Sequence, residues 1–263
     1  MRLVQGFSAV AALGIALLGS PLLAQLPSTS PPTIQLQDNG TDWGARINAA
    51  DAQLGTNASV IEVDGGGQIA TQIVISSNHT LRFGPGTWTN SNTGNETILL
   101  NDNTVLEGHG WDTVIQEPPG NNPLSYFIVR PHATHLDGAA QANNISVRNI
   151  QFSGVGIAKA PNGSQATVNT GLLNGGTYEN LWFNTTHGIG LTVGETNVHG
   201  NAFAANVTVQ GCTFTNVGGG IPPHFPGGGG VTLAIVNGDN ILVQNNTFID
   251  ALGNAVKYGS DSR

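Results

Sequence analysis

A short pattern of apolar and polar positions occurs four times in the second half of the chain. The copies read ISVRNIQFSG from Ile145, TYENLWFNTT from Thr177, VTVQGCTFTN from Val207 and ILVQNNTFID from Ile241. Their phenylalanines, which are 31, 31 and 34 residues apart, are Phe152, Phe183, Phe214 and Phe248. Apolar and polar residues alternate over few positions in every copy, and this period indicates β-strands rather than helices.

The constant spacing predicts a solenoid in which each copy stacks on the one before it. A unit this small cannot bury its own apolar face, whereas stacked copies can. Equivalent residues then form columns, with the four phenylalanines inside and an asparagine ladder at a turn. The ladder contains Asn149, Asn180 and Asn245, because asparagine tolerates a left-handed backbone at low cost.

A third strand per coil is expected between each phenylalanine and the next turn. The candidate segments are TGLLNG from Thr170, GIGLTVG from Gly188, GGVTLAIVNG from Gly229 and GNAVKYG from Gly253. Three strands per coil predict an all-β protein with the right-handed parallel β-helix fold. A propeller or sandwich would need longer antiparallel hairpins, which the pattern does not favour.

The first half of the chain supplies a cap and the early coils. DWGARINAADAQLG predicts a short amphipathic helix, with Asp42 capping its start and Ile47, Ala50 and Leu54 on one face. Such a helix could cover the open edge of the first coil. ASVIEVDGGG, TQIVISSNHTLRFGPG and NTVLEGHGWDTVI follow as strand pairs separated by glycine.

The amino-terminal residues predict export. Arg2, the apolar run AVAALGIALLG and the small residues before Gln25 have the order of a signal peptide, residues 1–24. The run is too short to span a bilayer, so no membrane span is expected in the mature chain. A Pro/Ser/Thr linker follows at 25–37, and 38–263 is expected to form one β-helix domain. We expect a secreted or periplasmic protein, truncated at its carboxyl end because no capping element follows the last strand.

Composition narrows the range of partners. Of the 263 residues 9% are charged, and the net charge is −8. No basic stripe is present to neutralise phosphates, so a nucleic-acid partner is not expected. A polyanionic sugar would need a local cation or a focused basic site. Cys212, the single cysteine, falls at an inward position of the repeat and is expected to be buried and inert.

Several motifs resemble the secreted pectate-lyase-like β-helix superfamily, which includes rhamnogalacturonase-like and epimerase-like domains. These motifs are WGARINAADAQLG, VIEVDGGG, TLRFGPGTW and the Leu-x-Gly-x-Gly-x-x-Thr-x-Ile match LEGHGWDTVI. The resemblance covers most of the mature chain and is specific for fold rather than for function. It implies an extracellular polysaccharide as partner and, for a lyase, a basic residue with Ca²⁺ held by carboxylates.

Three functions are therefore weighed for this chain. A pectate-lyase-like enzyme cleaving an acidic polysaccharide by β-elimination is favoured, and a non-catalytic polysaccharide-binding or adhesin β-helix is the alternative. A polygalacturonase-like hydrolase is the third, but it needs paired aspartates that the motifs lack.

The Gly-His-Gly at 108–110 lies inside the coil motif and is interpreted as structural. His132, His135 and Asp137 could ligate a metal if they lay on a helix, but strand and loop are expected there.

The strand that lines the groove in this superfamily carries few reactive groups. Lys257, Glu195 and His187 are the candidate catalytic residues, and Glu195 and Asp137 are the candidate metal ligands. Trp182 points outward by the alternation and could stack on a sugar. Arg148 and Glu179 fall in one outward column on successive coils, which predicts a surface ion pair between them.

Overall fold

The computed structural model describes residues 30–38, 40–92, 96–117, 127–136, 140–154, 166–186, 188–195, 203–217, 230–251 and 253–259. The chain divides into two compact units, Met1–Ser30 and Pro31–Arg263, and the described helices and strands lie in the second unit. The signal peptide expected at 1–24 lies outside the described residues.

In its described residues the second unit has an opening strand and helix followed by seven coils, six with three strands each and a last one in which two short strands, β20 and β21, lie in sheet 1. The elements in chain order are β1 (Thr33–Gln37) and α1 (Trp43–Leu54), then β2 (Ser59–Asp64), β3 (Gly67–Ile69) and β4 (Ile73–Ile75), then β5 (His79–Phe83), β6 (Gly86–Asn90) and β7 (Glu96–Leu100), then β8 (Val105–Glu107), the 3₁₀ turn Gly110–Asp112, β9 (Thr113–Gln116), β10 (Phe127–Pro131) and α2 (His132–Leu136), then β11 (Gln141–Arg148), β12 (Gln151–Ser153) and β13 (Ala166–Asn169), then β14 (Leu172–Glu179), β15 (Trp182–Asn184) and β16 (Ile189–Val193), then β17 (Ala204–Gln210), β18 (Thr213–Thr215) and β19 (Gly230–Ile235), and finally β20 (Gly238–Asp239), β21 (Leu242–Gln244), β22 (Thr247–Ile249) and β23 (Gly253–Tyr258).

Equivalent strands of successive coils pair in parallel and form three sheets. Sheet 1 runs β1-β2-β5-β8-β11-β14-β17-β20, with β21 also on β17. Sheet 2 runs β3-β6-β9-β12-β15-β18-β22, and sheet 3 runs β4-β7-β10-β13-β16-β19-β23. This order, with its short crossover connections, is that of the right-handed parallel β-helix that the pattern predicts.

The inner face of sheet 2 carries a stack of phenylalanines at the centre of the core. Phe152 lies opposite Phe183, and the register continues through Phe214 to Phe248. Successive ring centroids are 5.4, 4.8 and 5.0 Å apart, with interplanar angles of 19°, 4° and 5°. Parallel strands lie about 4.8 Å apart, so one ring per coil fills the column without a gap.

Left-handed residues make the corners of the coils. The corner between sheets 1 and 2 has positive φ at Asn149, Asn180, Gly211 and Asn245, with values of 59°, 50°, 62° and 56°. The Asn180 side-chain amide donates to Asn149 Oδ1 at 2.8 Å. Gly211 interrupts this ladder but keeps the backbone turn.

A second column of left-handed residues lies just before β5 and β8, inside β11, β14 and β17, and between β20 and β21. Its left-handed residues in successive coils are Asn78, Asn103, Asn144, Gly175, Asn206 and Asn240. Asn144 donates to Asn103 at 3.0 Å, and Asn240 donates to Asn206 at 2.7 Å. At each of these two columns the chain changes direction at a single left-handed residue, without a loop.

The helix α1 packs against the first coil, where β3 and β4 are the end strands of sheets 2 and 3. Asp42 accepts from Gly44 N at its start, while Trp43, Ile47 and Ala50 are buried against the coils. The Asn48 side chain bonds both Gln72 O and Val74 N, at 2.8 and 2.9 Å. The side-chain amide therefore provides hydrogen-bond partners for the backbone at the edge of β4, as a neighbouring strand would.

Three segments differ from what the pattern predicts. Thr33–Gln37, in the segment assigned to the linker by its composition, is β1 and pairs with β2. In the fourth coil the third strand is β13, four residues before TGLLNG, and that segment instead opens β14. His132–Leu136 forms a short helix rather than strand and loop, while Asp137 lies outside the described residues.

Replacing Phe183 by alanine tests the internal stack. Phe183 is fully buried between two rings, whereas Phe248 in the last coil is only partly buried. We expect Phe183→Ala to lower the free energy of unfolding by about 3–5 kcal/mol. Phe248→Ala, the matched control, should cost at most about 2 kcal/mol, since less of its surface leaves water. Denaturant titration measures both, and equal losses would contradict the stacking account.

Replacing Asn48 by alanine tests the cap. The change exposes no new apolar surface but removes the partners of Gln72 O and Val74 N. We expect a loss of about 1–3 kcal/mol in the free energy of unfolding. Gln53→Ala on the exposed side of the same helix serves as control and should change it by less than about 0.5 kcal/mol. Similar values for the two variants would argue against the edge-covering role.

Candidate functional site

The outer face of sheet 3 carries the groove candidates. Its outward column runs from Val74 and Leu99 through Arg130 in β10 to Ala234 and Lys257. Residues of this outward column are largely buried in the middle coils rather than exposed to solvent. Leu99 and Ala234 are buried, and the Arg130 side chain is 13% exposed.

Arg130 binds two glutamates in this face. Its Nη2 lies 2.9 Å from Glu195 Oε2, and its Nη1 lies 3.4 Å from Glu96 Oε1. The two carboxylate side chains are 14% and 4% exposed. Amide side chains position the backbone of both glutamates: Asn237 donates to Glu195 O and Asn92 donates to Glu96 O. Desolvated carboxylates need such a counter-charge, so Glu195 is held by Arg130 rather than presented as a base.

The other groove candidates do not meet Glu195 in the described structure. Lys257 is exposed in β23, the last coil, four coils beyond the strand of Arg130. His187 and Asp137 lie outside the described residues. Among the residues that are described, no group of three or more His, Cys, Asp or Glu side chains could hold a metal ion.

The Gly-His-Gly segment has a structural role. A Cβ on Gly108 would lie 2.3 Å from Asn149 O, so only glycine fits there. His109 is exposed and starts the 3₁₀ turn, and its backbone N–H donates to Thr113 Oγ1. His132, in the second histidine segment, has its Nδ1 3.1 Å from Asn101 Oδ1.

The outer face of sheet 1 carries one charged or amide side chain per coil. The column reads Gln35, Glu62, Arg82, Glu107, Arg148, Glu179, Gln210 and Gln244. Arg148 lies opposite Glu179 in register, but its guanidinium binds Glu107, 2.6 Å from Nη2 to Oε2. Glu179 accepts instead from Gln210 at 2.9 Å. The ion pair expected between Arg148 and Glu179 is therefore wrong.

Glu107 is the centre of this charged column. Arg82 Nε donates to its Oε1 at 2.6 Å, and Arg148 Nε donates to its Oε2 at 2.8 Å. Burial by itself would raise the pKa of the Glu107 carboxyl, but the hydrogen bonds and charges of the two arginines outweigh burial and lower the pKa.

The outer face of sheet 2 carries a pair of tryptophans. Trp182 in β15 points outward beside the inward Phe183, and its Nε1 donates to Thr215 Oγ1 at 3.1 Å. Trp111, from the 3₁₀ turn before β9, packs on it with a centroid distance of 5.1 Å and a 48° tilt. Trp111 is 43% exposed, and indole rings of this size are usually buried. The pattern pointed to Trp182 alone, because Trp111 lies outside the repeat.

The two outward columns of this face are uncharged and, apart from Trp182, Val114 and Ile249, polar. One outward column reads Thr87, Val114, Gln151, Trp182, Thr213 and Thr247. The other reads Gln68, Thr89, Gln116, Ser153, Asn184, Thr215 and Ile249. Hydroxyls, amides and an exposed aromatic pair are the groups that a surface needs to bind sugar hydroxyls and sugar C–H faces.

Comparisons with known proteins do not identify a family. No family model matches the chain, and neither a curated protein nor a solved structure is similar enough to match it. The fold is established by the three sheets, and the pectate-lyase-like family suggested by the motifs stays a prediction. In the part of the chain that the structure describes, no helix has the length and hydropathy to cross a membrane.

Glu107→Gln tests the charged column through the pH dependence of stability. The pKa of Glu107 lies below its ordinary value of 4.5, so its stabilising effect is present above that pH and is lost as the pH falls through the lowered value. We expect the variant to be about 1 kcal/mol less stable at neutral pH, with the difference from wild type shrinking as the pH falls below 4.5.

The control for this experiment is Glu179→Gln in the same column, where the carboxylate accepts from an amide instead of two arginines. Denaturation midpoints at neutral and acidic pH measure both variants. A Glu107→Gln deficit that stays constant across this range would contradict the lowered pKa.

Proposed function

We propose that this protein is an exported, non-catalytic polysaccharide-binding β-helix, with the ligand on the outer face of sheet 2. The observation that carries the proposal is the pair Trp111 and Trp182, which presents an exposed indole on a sheet face of amides and hydroxyls. Trp182 supports Trp111 from below and is itself anchored to Thr215.

The aromatic pair suits a sugar for physical reasons. A pyranose has an apolar C–H face and a rim of hydroxyls, so it packs on an indole while its rim bonds neighbouring amides and hydroxyls. An aromatic anchor is also rigid, so that little side-chain entropy is lost on binding. The bond from Trp182 to Thr215 adds to this pre-organisation.

Sheet 3 supports the lyase hypothesis less well. Glu195 would have to leave Arg130 before it could act as a base or ligate Ca²⁺, and the charges in that face are already paired. Lys257 is exposed, but it lies in the last coil, away from this cluster. The lyase is therefore the second candidate function. The binding experiment is accompanied by an assay for the unsaturated uronides that a lyase would form.

Binding is tested by electrophoresis through gels that contain dissolved polysaccharide, neutral or acidic. The wild-type protein should be retarded in at least one gel, and Trp111→Ala should weaken the apparent affinity by about tenfold or more. Trp111 is 43% exposed and packs on Trp182, so its removal should lower the free energy of unfolding by about 0.5–1.5 kcal/mol while the fold is retained.

Tyr258→Ala is the matched control, because Tyr258 is a 65% exposed aromatic residue on sheet 3. It should bind as the wild type does.

Parallel assays for unsaturated uronides, with and without Ca²⁺, test for a lyase. The proposal fails if retardation is absent, if it survives Trp111→Ala, or if uronide products form and depend on Lys257.

A further inference from the structure

We infer that the ligand of the sheet 2 face is an uncharged glycan with an extended, two-sugar repeat, such as a β-1,4-linked chain, lying along the axis of the solenoid. This inference rests on the proposed function and specifies its substrate class. Two independent observations support it: the absence of charge from the two outward strand columns of the face and a two-coil alternation along one of them.

The charge pattern separates this face from the other two sheets. None of the outward-facing residues in the two sheet 2 columns is Asp, Glu, Lys, Arg or His. Sheet 1 carries glutamates and arginines, and sheet 3 carries Arg130 with two glutamates. A polyuronate needs cationic partners for its carboxylates, and a face without any would leave those charges unpaired on binding.

The second column of sheet 2 alternates between amides and hydroxyls from coil to coil. Its order is Gln68, Thr89, Gln116, Ser153, Asn184 and Thr215, before Ile249 ends it. Two coils rise by about 9.5 Å, so like groups recur at that interval. An extended β-1,4-linked glycan turns over at every sugar and presents the same edge at every second one, over a closely similar length. A helical α-linked glycan has no such repeat.

The amides of this column retain capacity for sugar hydroxyls. Gln116 accepts from Thr89 Oγ1 at 3.3 Å, and Asn184 accepts from Thr185 Oγ1 at 3.1 Å. A primary amide has two donors and two acceptor lone pairs, so one bond leaves most of these positions usable. Both side chains are partly exposed, two coils apart. Trp182 lies in the adjacent column of the coil that contains Asn184, which places the aromatic pair beside the same stretch of chain.

The experiment is calorimetric titration of the wild-type protein with hexasaccharides of defined linkage. Cello-, manno- and chitohexaose are neutral β-1,4 chains, maltohexaose is a neutral α-linked control, and hexagalacturonate is a charged control. We expect at least one neutral β-1,4 chain to bind at least about tenfold more tightly than both controls. Its disaccharide should bind at least about tenfold more weakly, because its two sugars present opposite edges and so cannot offer the same edge to both Gln116 and Asn184.

The variants Gln116→Ala and Asn184→Ala test the two-coil repeat, and each should weaken hexasaccharide binding by about threefold to tenfold. Gln244→Ala, an exposed amide on sheet 1, is the control and should have no effect. Unfolding midpoints of all variants check that the fold is retained. If neither column variant changes the affinity while Trp111→Ala does, the axial placement is overturned.

Failure of this inference is distinguishable from failure of the proposed function. Preferential binding of hexagalacturonate or maltohexaose that is lost in Trp111→Ala overturns the substrate class and leaves the polysaccharide-binding face intact. Binding that does not depend on Trp111, or no binding to any of these chains or to the polysaccharide gels, overturns both.

Discussion

The fold depends on parallel strands that stack in exact register, one coil upon the next. Register places each side chain directly above its equivalent, so the core consists of columns of equivalent residues. A stack of planar rings suits this arrangement because the rings are separated by the strand spacing itself, 4.8–5.4 Å between centroids. Left-handed asparagines keep the register, since each turns the chain by the same angle in every coil.

Register also constrains what the outer faces can carry. Equivalent positions lie about 5 Å apart, so like charges in one column would repel each other directly. Sheet 1 meets this constraint by alternation, with Glu62, Arg82, Glu107, Arg148 and Glu179 in sequence. In sheet 3, Arg130 instead pairs with Glu96 and Glu195, which lie outside its own column. Sheet 2 carries no charge in its two outward columns, and that neutrality is the basis for the proposed uncharged ligand.

Much of the architecture was readable from the sequence because the determining interactions are local and repeat. The alternation around Phe152 and Phe214 reveals the strands, and the asparagine columns reveal the corners. The helix from Trp43 has a capping aspartate and one apolar face. In the fourth coil the third strand was misplaced because Leu172 and Leu173 at the start of β14 are more apolar than the ATVN sequence of β13, and the strand boundary depends on pairing with neighbouring coils.

The candidate site was less predictable because its residues come together only through stacking across long separations. Arg130 in β10 and Glu195, which follows β16 two coils further on, are 65 residues apart, so no spacing in the sequence indicates their contact. Arg148 has an equally suitable carboxylate on either side, and only the geometry selects Glu107 over Glu179. Trp111 lies in a 3₁₀ turn outside the repeat, and its outward-pointing partner Trp182 was the one signal that the alternation provided.

Engineered disulfides provide the most direct test of the stacking register. Ser153 and Asn184 are aligned on adjacent strands, whereas Ser153 and Thr215 are separated by one intervening coil. A disulfide needs Cα atoms within about 7 Å, a distance that adjacent strands satisfy and strands two coils apart do not. The account predicts that a Ser153→Cys, Asn184→Cys double variant oxidises readily in the folded protein and that Ser153→Cys, Thr215→Cys does not. Efficient oxidation of the second pair, or none of the first, would contradict the in-register stack.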